Sequence, residues 1–299
     1  MGAEGGAWSA CTHLQRYGMN FMPFLARHLA FGLQPKSVLE FGCGLGTMSD
    51  FLARFVPGGS QVVCVEPEPM LGEVFAQDKP FPYRPLQLAM YSFAKETAGC
   101  SNSLFSTDMG FELVVSLEVA EHVPSEYTPE LIRRLTAATS KYLVFAAARP
   151  GQGGTGHIDE SMHDREWWIE QFTKTGKLLY LPQLTLNMRW LTARPERAYD
   201  LGKNVIAFGA LGVVDVPEVP QLAHDCFWNP TILHGDRTSD TDIEIQLAKQ
   251  HGMNATIDIP KCPAQDQSIR KRWVEGQQQA LWPDLDLLER RVKSGQLKC

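Results

Sequence analysis

The 299-residue sequence has no Cys-x-x-Cys pair, no long Lys/Arg block, no internal repeat and no apolar run reaching the roughly 18 residues of a membrane span. Each absence excludes something. Without paired cysteine spacing a structural zinc knuckle has no ligands, and an odd total of seven cysteines, at 11, 43, 64, 100, 226, 262 and 299, does not suit a disulfide framework. Reduced thiols are expected, with Cys43 and Cys64 acting as small hydrophobes inside core elements. The longest basic run, Arg270 to Arg272, is too short to neutralise many phosphates, and the formal net charge is −6, so nucleic acid is not the expected partner. Nor is a membrane. The first residues carry Glu4 ahead of any apolar stretch and do not read as a secretory signal; a cytoplasmic protein is expected. Hydrophobic residues at 44% and charged residues at 21% leave an ordinary folded chain able to bury a sizeable core.

Strand-like and helix-like segments alternate along the first two thirds. An amphipathic segment from about Thr12 to Phe31 precedes them, with Pro23 as a kink or break. Ser37–Phe41 reads as a strand, Met48–Phe55 as a helix closed by Pro57, Gly58 and Gly59, and Gln61–Val65 as a second strand followed by a helix over Met70–Gln77. A strand, helix and strand in so short a span call for a parallel sheet with a right-handed crossover. The alternation blurs through residues 80 to 105, then resumes with strands at Phe111–Leu117, Tyr142–Ala148, Lys177–Leu181 and Val205–Gly209, and helices at Thr128–Thr139, Asp164–Lys174 and Leu184–Leu191. The fold class is therefore α/β: a doubly wound, mostly parallel sheet of about seven strands, Rossmann-like. Residues 1–35 form an N-terminal helical segment and 36–211 the ligand-binding catalytic domain. Residues 212–299, broken by Pro217, Pro220, Pro230, Pro260 and Pro263, form an accessory region with helical stretches.

Chemistry concentrates after the first strand, where Glu40 is followed by Gly42, Gly44 and Gly46. Glycines at a strand-to-helix turn let the backbone bend sharply and approach a ligand closely. The spacing separates two ligand classes, because a dinucleotide fingerprint beginning at Gly42 needs glycine at position 47, which is Thr47. A carboxylate at Glu40 repels pyrophosphate and attracts a cation. Glu66, ending the second strand, sits where a carboxylate accepts hydrogen bonds from ribose hydroxyls.

The run VLEFGCGLGTMSDFL resembles motif I of class I S-adenosylmethionine-dependent methyltransferases, VVCVEPEP resembles their motif II, and FELVVSLEVAEHVP resembles the segment around their fourth strand. The resemblance spans about residues 36 to 211. It implies S-adenosylmethionine as cofactor, with Glu40, Gly42, Gly44 and Gly46 around its methionine part, Glu66 on its ribose, and Ser116, Leu117 and Glu118 beside the transferable methyl. The acidic residue that many members place after the third strand, near the adenine amine, has no unambiguous equivalent between Leu86 and Ser106.

Methyl transfer to an alcohol or amine also needs a proton acceptor near the methyl group. Two groups follow strands whose carboxyl ends face the cofactor: Glu118, Glu121 and His122, and then His157 and Asp159. His157, His122 and Glu121 are the candidate catalytic residues, although Glu121 and His122 also suit the lining of the next helix and His157 a solvated glycine-rich loop. A divalent ion shared by Glu118, His122, His157 and Asp159, as in some oxygen-directed methyltransferases, is the alternative role; no compact ligand spacing supports it and no metal is assigned. Of the adjacent Trp167 and Trp168, one is expected in the core. Asp236, Asp240 and Asp242 read as a solvated turn rather than a calcium loop. The reading is a methyltransferase acting on a small-molecule acceptor, oxygen favoured over nitrogen. Its alternatives are an NAD-dependent oxidoreductase on a related fold and a non-catalytic partner-binding protein with a methyltransferase fold.

Overall fold

Side chains alternate between two faces of a strand, and this chain makes both faces apolar. Val38 points to one layer and Leu39 to the other; Leu113 and Val115 oppose Val114; Val144 opposes Leu143 and Phe145; Ala207 opposes Ile206 and Phe208. A sheet that is apolar on both faces needs helices on both. The computed structural model provides them, and it describes residues 22–44, 46–57, 60–66, 87–90, 110–154, 156–192 and 199–214, with a few positions between 246 and 252.

Along the chain, α1 (Met22–Leu33) leads to β1 (Ser37–Phe41), α2 (Thr47–Phe55), β2 (Gln61–Glu66), β3 (Gln87–Met90) and β4 (Phe111–Leu117). After these come α3 (Thr128–Ala138), β5 (Thr139–Ala146), α4 (Arg165–Lys174), β6 (Leu178–Tyr180), α5 (Pro182–Thr192), α6 (Tyr199–Asn204) and β7 (Ile206–Ala210). One face is packed by Leu25 and Leu29 of α1, Met48 and Leu52 of α2, Leu184 and Met188 of α5, and Leu201 of α6. The other is packed by Leu131 and Leu135 of α3 and by Trp168, Ile169 and Phe172 of α4. Trp168 is thus the core member of the tryptophan pair, while Trp167 is half-buried and stacks on His163. Pro23 falls in the first turn of α1, where its missing N–H has no helical partner to lose.

The seven strands are ordered β3-β2-β1-β4-β5-β7-β6. All neighbours are parallel except β7, which is antiparallel to both β5 and β6. The winding reverses at β1, whose partners are β2 on one side and β4 on the other, so a crevice opens at the carboxyl ends of β1 and β4. Register sets Glu40 beside Cys64 and Val115, and Leu117 beside Ala146. β5 begins earlier than its apolar run suggests, because Thr139 pairs with Phe111 before the ladder shifts.

The cysteines correct one expectation. Cys43 and Cys64 are not separate thiols: they form a disulfide, with Cα atoms 5.7 Å apart. The cause is the turn after β1, where the amides of Gly42 and Cys43 both donate to the Val65 carbonyl, at 2.7 and 3.2 Å, and so fold Cys43 back over β2. The helix expected over 70–77, residues 12–21 of the N-terminal segment and nearly all of the accessory region, including Asp236, Asp240 and Asp242, lie outside the described residues.

Candidate active site

Three glycines shape the loop between β1 and α2. Gly42 has φ +75°, and a Cβ there would lie 2.3 Å from Val119 Cγ2, so only glycine lets this loop meet the segment leaving β4. Gly44 and Gly46 also have positive φ, and Gly46 opens α2 by accepting the Asp50 amide at 2.9 Å. Glu66 lies buried beneath the loop and its carboxylate accepts the Gly44 amide at 2.5 Å.

Glu40 is the other acid beneath the loop, 5% exposed, and accepts a hydrogen bond from Ser49 Oγ on α2. Burial pushes its carboxyl up to about 8; the Ser49 bonds offset this in part and the Glu66 charge adds to it. No described cation contributes to its ionisation. A carboxyl so placed gains from a cationic ligand.

At the end of β4, Ser116 Oγ is buried with no hydrogen-bond partner among the described residues, and Leu117 is partly buried. Glu118 has φ +55°, uncommon for a residue with a side chain and a mark of a position held by its surroundings. Its amide donates to the Ala146 carbonyl at 2.8 Å. Its carboxylate accepts from Gln152 Nε2 at 3.2 Å and from Asn204 Nδ2 at 3.1 Å, and Asn204 Nδ2 also reaches Gln152 Oε1 at 2.9 Å. Gln152 and Asn204 hold the Glu118 carboxylate and could not be found from sequence; they lie 34 and 86 residues from Glu118, and no local pattern connects them.

The chain then makes a short 3-10 turn, Ala120–His122, against which the loop after β5 is fastened. The Ile158 amide donates to the Glu121 carbonyl at 2.9 Å, and Ser161 Oγ donates to the Val123 carbonyl at 2.6 Å. This brings Glu121, His122 and His157 together, with one potential ligand atom from each within 4.8 Å of the others. Glu121 is fully buried, and burial followed by the neighbouring Glu118 charge holds its carboxyl well above the usual range. Burial, with a smaller push from His157, keeps His122 below the usual imidazole range although its bond to Gly156 opposes the shift. Asp159 is exposed in the next turn and is not part of this group.

A family model described as a methyltransferase domain matches residues 13–188, more than half of the chain. The chain belongs to that family. It is an S-adenosylmethionine-dependent methyltransferase. No curated protein matches the sequence. Among solved structures it is similar to the plantazolicin methyltransferase BpumL in complex with a pentazolic desmethylPZN analog and SAH, at 13% identity and TM-score 0.46 over 67% of this chain and 88% of that one. It is also similar to magnesium protoporphyrin IX methyltransferase (ChlM) from Synechocystis PCC 6803 with bound SAH, at 18% identity and TM-score 0.40 over 62% and 79%. A third likeness, to the CurJ carbon methyltransferase at 15% identity and TM-score 0.41, covers 58% of this chain and about half (48%) of that one.

The methyltransferase crevice fits its cofactor on its own geometry. The glycine loop leaves room for close approach, and among the described residues the buried Glu40 has no cation beside it and the Ser116 hydroxyl at the end of β4 has no hydrogen-bond partner. The acid sought near adenine falls between Leu86 and Ser106, where only Gln87–Met90 is described. Ser49, which holds Glu40, escaped the sequence reading because its role appears only once α2 packs beside β1.

Proposed function

We propose that this methyltransferase acts in the cytoplasm on a small-molecule acceptor, at oxygen in preference to nitrogen. S-adenosylmethionine supplies a methyl group activated on a sulfonium. In this reading Glu40, Gly42, Gly44 and Gly46 hold the methionine part, Glu66 the ribose, and Ser116, Leu117 and Glu118 the surroundings of the methyl.

The observation that carries the acceptor chemistry is the grouping of Glu121, His122 and His157 within a few residues of Glu118 at the carboxyl end of β4. An acceptor hydroxyl must lose its proton as it is methylated, and a buried carboxylate with raised proton affinity beside two imidazoles is suited to receive it. An amine acceptor has less need of three such groups. The net charge of −6 argues against nucleic acid as substrate, and none of the described helices is long and apolar enough to cross a membrane.

Calorimetric titration with S-adenosylhomocysteine, with NAD as control, tests the cofactor assignments. Binding of the first ligand alone, weakened by Glu66→Ala, is the expected result. An acceptor screen on wild type, His122→Ala and His157→Ala tests the proton-accepting group; normal turnover in both variants would overturn it.

A further inference from the structure

The geometry points to a divalent transition-metal site made by Glu121, His122 and His157. The two imidazoles are held in place by partners outside the group. His157 Nδ1 faces the Gln152 carbonyl at 3.2 Å and His122 Nδ1 faces the Gly156 carbonyl at 3.0 Å. A carbonyl only accepts, so Nδ1 of each ring donates to it. Metal-ligating histidines are oriented in this way, the far nitrogen donating to a backbone carbonyl.

Glu121 supplies the independent observation. It is 0% exposed, and among the described residues neither carboxylate oxygen accepts a hydrogen bond of normal geometry. Only its own amide and that of Ala148 favour the anion, in part. His157 Nε2 stands 4.0 Å from Glu121 Oε1, too far for a hydrogen bond, with the ring tethered elsewhere. A buried carboxylate oxygen with no hydrogen-bond partner among the described residues, facing an imidazole nitrogen beyond hydrogen-bond reach, is costly alone and well matched to a cation between them.

Bonds of about 2.0–2.2 Å from a central ion would place ligand atoms roughly 3–3.5 Å apart. One potential ligand atom from each residue lies within 4.8 Å of the others, so side-chain rotations of about an ångström close the site. Two imidazoles and one carboxylate favour Zn²⁺, Mn²⁺, Fe²⁺ or Co²⁺ over Mg²⁺ and Ca²⁺, which prefer all-oxygen sets. Three protein ligands leave positions open for an acceptor oxygen.

The acceptor part of the inference rests on the proposed oxygen-directed transfer; the binding of metal does not. A hydroxyl on the ion has its pKa lowered. Its proton leaves to solvent, the new C–O bond forms and the C–S bond of the sulfonium breaks. The three side chains then act through the ion instead of receiving the proton themselves.

The test uses the untagged full chain, stripped with chelator and dialysed against Co²⁺, read by visible absorption and metal content. Wild type and the control His163→Gln, whose ring stacks on Trp167, are expected to bind one Co²⁺ per chain. Glu121→Gln and His157→Gln are expected to lose at least 10- to 100-fold in affinity while keeping wild-type affinity for S-adenosylhomocysteine, which shows that they fold. Absence of Co²⁺ binding to wild type, or equal binding by the two variants, would overturn the site. S-adenosylhomocysteine binding in the metal-free samples reports on the cofactor assignments separately.

Discussion

Asn204, which ends α6 just before β7, donates a hydrogen bond to the carboxylate of Glu118 across 86 residues of chain. The bond ties the end of α6 to the residue that follows β4. Asn204 itself is 1% exposed, so its amide has no water to fall back on.

Replacing Asn204 by Ala removes donors to both Glu118 and Gln152. Loss of buried hydrogen bonds of this kind costs about 1–3 kcal/mol. Asn204→Asp should cost more, because it sets a second carboxylate against Glu118. Urea unfolding of the two variants gives the order, and an Asp variant as stable as the Ala variant would show that Glu118 is not anionic there.

Glu40 gives a pH dependence with a defined sign. Its folded-state pKa of about 8 lies above the ordinary 4.5, so below 4.5 both folded and unfolded chains hold the proton, and between 4.5 and 8 only the folded chain does. Stability from this residue is full below 4.5 and is lost as pH rises toward 8, by on the order of a few kcal/mol. Melting temperatures measured from about pH 5 to about pH 9 should fall further for wild type than for Glu40→Gln. Adding S-adenosylhomocysteine, whose amino group is cationic, should narrow the difference. Parallel profiles for the two proteins would show that Glu40 ionises normally.

Much of the fold was legible in the sequence for a simple reason: β1, β2, β4 and β5 are buried on both faces, and such strands appear as near-continuous apolar runs ended by turn residues. β3 is four residues long and has no such run around it, which is why residues 80 to 105 resisted reading. The glycine loop and the two buried acids beside it were legible because glycine spacing and acids at strand ends are local patterns. Ser49, Gln152 and Asn204 were not, since each acquires its role from a partner that only the folded sheet brings close. Of Glu118, His122, His157 and Asp159, only the two histidines fall in the compact group, which Glu121 completes because the 3-10 turn carries it inward; Asp159 is exposed.

The Cys43–Cys64 pair ties the cofactor loop to β2, closing a sequence separation of 21. Chain-entropy arguments assign about 3 kcal/mol to a closed loop of that length. Alkylation and mass spectrometry without reductant should leave these two cysteines unmodified. Dithiothreitol, or the double replacement Cys43→Ser with Cys64→Ala, should lower the melting temperature and weaken S-adenosylhomocysteine binding several-fold. If both thiols alkylate freely in the folded chain and binding is unchanged, the bridge plays no part in holding the loop.

Gly154 separates the position of His157 from its presence. Its backbone lies outside the left-handed region, so Gly154→Ala carries no conformational penalty of that kind, yet the added Cβ would fall 2.2 Å from His157 Nε2. The ring must move, and its bond to the Gln152 carbonyl must bend or break with it. Gly153 is the internal control, because a Cβ there meets nothing within 4 Å. Gly154→Ala should keep the melting temperature and S-adenosylhomocysteine affinity of wild type while losing about 10- to 100-fold in kcat/KM, since a displacement of about an ångström at a reacting group costs that much. Gly153→Ala should match wild type in all three. Equal activity in the two variants would mean that the placement of His157 does not matter to the reaction, and the role assigned to it as base or as ligand would have to be given up.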